Sequence, residues 1–194
     1  SDLVDSMQYR KGPYSAEDGD FSAAGSMNVL LPYRLERPMA EVGVGSFGYR
    51  RFLLADAPKA ANGNLMYALE VLRTDGPWTK RDDFRKFNGM LRYADGSQQN
   101  GYTVTAMASQ GTWNATNQIP KRALDAGLIS RWDAVDPSDG GESRRYSLST
   151  AWNRTGEGRA TSANAYVIPV VCNCGATSLF TRMILSTVIS SNSA

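Results

Sequence analysis

From Ala40 to Ile168 apolar residues recur at every second position, in segment after segment. Ala40, Val42 and Val44 lead into a glycine-bearing turn. Leu65, Tyr67, Leu69 and Val71 share one parity, with Glu70 on the other. Phe87, Leu91 and Tyr93 oppose Asn88 and Arg92; Tyr102, Val104, Ala106 and Ala108 oppose Thr103, Thr105 and Ser109; Tyr146, Leu148 and Trp152 oppose Ser147, Ser149 and Asn153. Period two marks strands with one apolar face and one polar or small face. Only Leu30-Leu31 and Phe52-Leu53-Leu54 read as continuous apolar runs. One short helix is expected within Pro120 to Leu128, with Pro120 at its first position and Gly127 near its end. The expected fold is all-β, an antiparallel meander of about seven strands joined as hairpins.

The connections carry a second pattern. Ala57 to Asn64, Asp95 to Asn100 and Thr155 to Gly158 are short and rich in turn residues, whereas Thr74 to Arg85 and Thr112 to Ser143 are long. Tight turns on one edge and long loops on the other are the pattern of outer-membrane barrels. Ser46 to Tyr49 departs from it, being short on the long-loop edge. The polar parity is mostly Ser, Thr, Asn, Gly and Ala, with Glu70 and Arg92, which suits a hydrated lumen. Phe47, Tyr49, Trp78, Phe84, Phe87, Tyr102, Trp113, Tyr146 and Trp152 lie near strand ends, where rings would form interfacial girdles. Such rings also fill cross-strand pairs in any sheet. A soluble β-rich carbohydrate-binding module, its tryptophans stacked on sugar rings, is compatible with the same alternation, because half-buried strands look alike in either setting.

Composition removes other classes. The 194 residues contain 21 Lys and Arg against 19 Asp and Glu, so a net charge of +2 offers no nucleic-acid groove. There is no His, which removes the commonest general base and most catalytic zinc sites. Cys172 and Cys174 lack the spacing of a redox or zinc knuckle. No enzyme, cofactor or metal site is expected. Gly43 to Gly48 matches G-x-G-x-x-G, but a dinucleotide fold needs a helix immediately afterwards, and the following residues alternate; the glycines are expected to relax a strand and its hairpin turn. Asp82-Asp83 and the Glu17 to Asp20 cluster read as solvated loop charges, the former flanked by Lys80, Arg81, Arg85 and Lys86. No signal peptide precedes Leu3, and the longest uncharged stretch, Ala160 to Thr181, is too interrupted for a membrane helix. Barrel strands would escape that test.

Arg10 to Asn28, RKGPYSAEDGDFSAAGSMN, resembles the end of the plug domain of TonB-dependent outer-membrane receptors. Arg10, Gly12 and Pro13 match a basic-Gly-Pro turn, Gly19 and Asp20 fall in the small-residue stretch, and Gly25 to Asn28 matches a Gly-x-x-Asn strand leading out of the plug. Arg73 to Trp78 resembles the second extracellular loop of one branch of these receptors; Trp113 to Ala123 and Asp136 to Gly141 resemble the third. The resemblance implies 1–37 as late plug, 38–168 as the first barrel strands and 169–194 as an atypical tail. It also implies energy-coupled uptake, at the outer membrane of a Gram-negative bacterium, of a scarce ligand such as a metal chelate, a cobalamin-like cofactor or an oligosaccharide. Trp78, Trp113, Asn114, Asn117, Gln118 and Trp132 are the candidate ligand-binding residues of the loops. The implied partners are outer-membrane lipid, the remaining plug and barrel strands, the small transported ligand, and a TonB-type periplasmic coupling protein where its docking box is present. No such box precedes Leu3, and alternation stops after Val167. A receptor fragment from a truncated or frame-shifted coding region, not transport-competent alone, is therefore expected, since a plugged barrel needs about 22 strands.

Overall fold

A computed structural model describes residues 3–12, 24–32, 35–97, 99–156, 159–174 and 178–193. The chain divides into two units, Ser1–Glu36 and Arg37–Ala194. In the first, β1 (Ser6–Lys11) and β2 (Gly25–Leu30) form an antiparallel pair running from Ser6 opposite Leu30 to Lys11 opposite Gly25. The ladder is extended by Asp5 N–H donating to the Leu30 carbonyl at 2.9 Å and Gly12 N–H to the Ala24 carbonyl at 3.1 Å.

The second unit is one antiparallel meander. Its strands are β3 (Met39–Val44), β4 (Arg50–Asp56), β5 (Lys59–Ala60), β6 (Gly63–Thr74), β7 (Phe84–Gly96), β8 (Asn100–Asn114), β9 (Gly140–Gly156), β10 (Arg159–Cys174) and β11 (Ser178–Ser193). The nine-stranded sheet has the order β11-β10-β9-β8-β7-β6-β4-β3, with β5 a two-residue stub on β6. Every long strand therefore pairs with its neighbours in sequence, as expected of consecutive hairpins. The strands β6 to β9 grow from 12 through 13 and 15 to 17 residues, longer than the 5–6 usual in globular sheets.

The register sorts the side chains into two faces. Phe52 lies opposite Val71 and Val71 opposite Phe87; Leu54 opposite Leu69; Ala106 opposite Leu148; Tyr102 opposite Trp152. This apolar face stays uncovered: Val42 is 74% exposed, Leu91 50% and Leu148 51%. The buried apolar residues lie on the other side. Leu53, Ala55, Met66 and Ala94 form the core among the described residues, and all have the parity of Glu70 and Arg92. On the opposite face Phe52, Val71, Phe87, Leu91 and Leu148 each remain 40% exposed or more.

Three local features refine the expectations. The Gly43 to Gly48 segment is a hairpin turn with no helix after it: Tyr49 N–H donates to the Ser46 carbonyl at 3.1 Å, with Phe47 and Gly48 at φ 56° and 68°. Two positive φ values in succession match a type I′ turn. The Tyr49 ring covers Gly43 and Gly45, coming within 3.3 Å of where a Cβ on Gly43 would stand. The short helix is α1 (Lys121–Asp125), but Pro120 is its N-cap, with ψ 127°, rather than its first helical residue; its ring suits φ −61° and its carbonyl accepts from Ala123 and Leu124. Gly127 at φ 70° closes the helix, with Leu128 N–H donating to the Ala123 carbonyl and Gly127 N–H to that of Leu124, a Schellman pattern. Finally, strand structure does not stop at residue 168. β10 continues to Cys174 and β11 pairs along its whole length, from Arg159 opposite Ser193 to Cys174 opposite Ser178. Pro169, which has no N–H to donate, sits where the β9 ladder is interrupted between Val167 and Val170.

Candidate functional site

The register places the β3–β4 turn and the two long loops at the same end of the sheet. Backbone hydrogen bonds join them. Asp75 N–H donates to the Phe47 carbonyl at 2.7 Å, Thr79 N–H to that of Trp132 at 2.9 Å, and Asn114 N–H to that of Asp82 at 2.7 Å. Ala115 N–H reaches the Asp139 carbonyl at 3.0 Å, bringing the ends of the longer loop together. The short β3–β4 turn thus belongs to the cluster, held against Asp75 where a side chain at Gly48 would stand 2.9 Å from Oδ2.

Between these loops lies an open cavity of about 580 Å³, within the range of small-molecule sites. Trp78, Phe84 and Trp113 supply rings, Asn114 an amide, Asp82 a carboxylate, and Thr74 and Thr116 hydroxyls. Trp78 is braced by Trp132, their centroids 5.6 Å apart and tilted by 50°, and Arg131 lies 5.8 Å over the Trp132 ring. Trp113 is seated on Gly141, where a Cβ would meet its ring at 2.6 Å. Asn114 Nδ2 donates to the Arg81 carbonyl at 2.9 Å, so its amide oxygen is the end left for a ligand.

The adjacent carboxylates Asp82 and Asp83 have divergent roles. Burial raises the Asp82 carboxyl above its ordinary value, partly offset by the Trp78 indole N–H. Asp83 is lowered, first by the Arg85 guanidinium and then by Arg73; it accepts from Arg85 at 2.7 Å and Arg73 at 2.9 Å. Asp136 is lowered by the Ser138 hydroxyl and N–H, which donate at 2.6 and 2.8 Å. Asp83 is thus the paired loop charge expected of the cluster, whereas Asp82 faces the cavity.

Of the six expected ligand residues, Trp78, Trp113 and Asn114 line the cavity. Trp132 stands behind Trp78 as a brace. Asn117 donates to the Asp139 carboxylate and stitches the loop base, and Gln118 is exposed away from the lining. Asp82, Phe84, Thr74 and Thr116 were not anticipated; the hint was their position at the strand–loop junctions flanking Trp78 and Trp113. Among the strand-end aromatics, Phe87, Tyr102, Tyr146 and Trp152 sit on the exposed apolar face. Tyr49 instead covers β3, and Phe84 and Trp113 have the opposite parity and line the cavity. Nearness to a strand end therefore does not put these rings on one face, because parity decides the face.

On the polar face, Glu70 of β6 is the hub of a charged cluster. It accepts from Arg51 Nε at 2.9 Å, Lys86 Nζ at 2.9 Å and Asn88 Nδ2 at 2.8 Å, and Arg51 also reaches Glu41 at 2.9 Å. In the first unit, Arg10 and Asn28 lie on β1 and β2, and Gly12 follows β1. Gly25, at φ 148°, closely approaches the Arg10 carbonyl, only 2.4 Å from where a Cβ would stand. Pro13, Gly19 and Asp20 lie outside the described residues. Comparison with protein-family models, curated proteins and solved structures gives no match for the chain.

Proposed function

We propose that this chain is part of an outer-membrane uptake receptor of the TonB-dependent kind: late plug in 1–37, then barrel strands whose apolar face meets lipid and whose polar face lines a hydrated interior. The observation that carries it is the inversion of the sheet. Leu91 and Leu148 are half exposed on one side while Glu70, Arg51, Lys86 and Asn88 bond to one another on the other. Water disfavours that arrangement, and a bilayer favours it. Strands of 12 to 17 residues exceed the 9–11 that a tilted membrane strand requires.

The loop cluster at one end is the capture site, its rings and amide suiting a metal chelate, a cobalamin-like cofactor or an oligosaccharide. β3 and β11 are the ends of the sheet among the described residues. They would pair with the receptor's remaining barrel strands, so transport requires those strands and the rest of the plug. Coupling to a TonB-type periplasmic protein belongs to that whole assembly.

The test is topological. Exported in a Gram-negative host, the chain should sediment with the outer membrane, and trypsin added to intact cells should cut at Lys121, Arg122 or Arg131 while the strands resist. Recovery as a soluble periplasmic monomer would refute the proposal and favour a carbohydrate-binding module.

A further inference from the structure

Arg50, Arg73 and Arg85 form a single cross-strand row. The register sets Arg50 of β4 directly opposite Arg73 of β6, and Arg73 directly opposite Arg85 of β7. Alternation puts all three on the uncovered apolar face, at the loop end. Two positions further along each strand runs the row Phe52, Val71, Phe87, with exposures of 40%, 44% and 42%.

Like charges directly opposite one another destabilise a sheet, so this row requires an anion. Asp83 supplies one carboxylate, shared between Arg73 and Arg85; Asp75 is more distant, 3.9 Å from Arg73. Arg50 has no carboxylate partner among the described residues. Arg73 and Arg85 remain 51% and 60% exposed at their side chains. The far ends of β4 and β7 carry Asp56 and Asp95 on the same face instead, so on this face the positive charge of these two strands is confined to the loop end.

We propose that this row binds the phosphate of an anionic lipid, with guanidinium N–H groups donating to phosphate oxygens and the acyl chains lying along Phe52, Val71 and Phe87. Guanidinium suits this role because its planar fork donates to two phosphate oxygens at once. A free phosphate would engage the arginines but gain nothing from the apolar row, which is why a lipid is the fitting occupant. The inference rests on the uptake-receptor reading for its premise that lipid covers this face.

The experiment is native mass spectrometry of the full chain in polyoxyethylene-detergent micelles, titrated with phosphatidic acid or with phosphatidylcholine of the same acyl chains. Phosphatidic acid should be preferred by about tenfold or more. Arg50→Gln/Arg73→Gln/Arg85→Gln should bring the two lipids to parity, Arg154→Gln at the other end should leave the preference intact, and millimolar inorganic phosphate should not displace the lipid. Where the triple variant fails to fold, Arg50→Gln alone, which breaks no carboxylate pair, should lower the preference several-fold. Equal retention of both lipids by the unaltered chain, or displacement by inorganic phosphate, would overturn the phosphate-lipid site while leaving the receptor reading standing. A chain that retains neither lipid and stays monomeric without detergent would overturn the receptor reading itself.

Discussion

Phe52 and Leu53 are consecutive residues of β4, both large and apolar, yet one is 40% exposed and the other 4%. They point to opposite faces of the sheet. On Leu53's side are the buried Ala55, Met66 and Ala94 and the ion-paired Glu70 cluster. On Phe52's side are Val71, Phe87, Leu91, Tyr146 and Leu148, each 40% exposed or more. In a protein folded against water the larger apolar set would be the covered one, because burial stabilises by roughly 25 cal/mol per Å². Here the larger apolar set is the uncovered one, which is the arrangement the uptake-receptor proposal rests on.

The most damaging change should be Leu148→Arg, midway along the apolar face. In a bilayer it should lower unfolding stability by about 2–4 kcal/mol, read by denaturant titration in lipid vesicles; were this face wet, the same change would be close to neutral. Glu70→Ala on the other face removes the shared partner of Arg51, Lys86 and Asn88, and should cost about 1–3 kcal/mol in the same assay. Lys86→Met in the Glu70→Ala background should recover part of that loss, since a charge without its partner is the main penalty. In the loops, Trp132→Ala removes the brace behind Trp78 and should cost about 0.5–1.5 kcal/mol, with faster hydrogen exchange at the Thr79 amide.

The smallest effect is on pH. Burial lifts the Asp82 carboxyl, so the folded loops hold its proton more tightly than the unfolded chain does; its charge weakens the cluster at neutral pH, and the penalty is relieved as pH falls through its raised folded value. Asp83 and Asp136 have the opposite sign. Their lowered values contribute stability that is present above the ordinary aspartate value of about 3.9 and is lost as pH falls through their folded values. Protease resistance of residues 115–139 should therefore rise slightly on mild acidification and drop at stronger acid. Asp82→Asn should abolish the rise and keep the drop.

Much of the sheet was legible because period two survives in β3 and in β6 to β9, and because turn-rich segments separate them; β4 carries the continuous run Phe52-Leu53-Leu54 instead. β11 was not legible: Met183-Ile184-Leu185 breaks the alternation with a continuous apolar run, and Ser and Thr occupy both parities around it. The lining of the loop cavity was half legible. Trp78, Trp113 and Asn114 stood out by type, but that Trp132 backs Trp78, or that Asp82 and not Asp83 faces the cavity, depends on contacts between loops far apart in the chain. Alternation is local and survives in one sequence; the meeting of two loops is not. Phe47 shows the same limit, since its positive φ is imposed by the hairpin rather than by its side chain.

The most direct test of the inverted sheet uses the tryptophans as depth gauges. Trp152 lies on the apolar face, whereas Trp78, Trp113 and Trp132 belong to the loop end. Single-tryptophan variants, with Phe at the other three positions, would be folded into vesicles containing lipids brominated along their acyl chains. Strong quenching of Trp152 with weak quenching of Trp113 is the predicted result; equal quenching of the two, or none at Trp152, would contradict a lipid-facing apolar side.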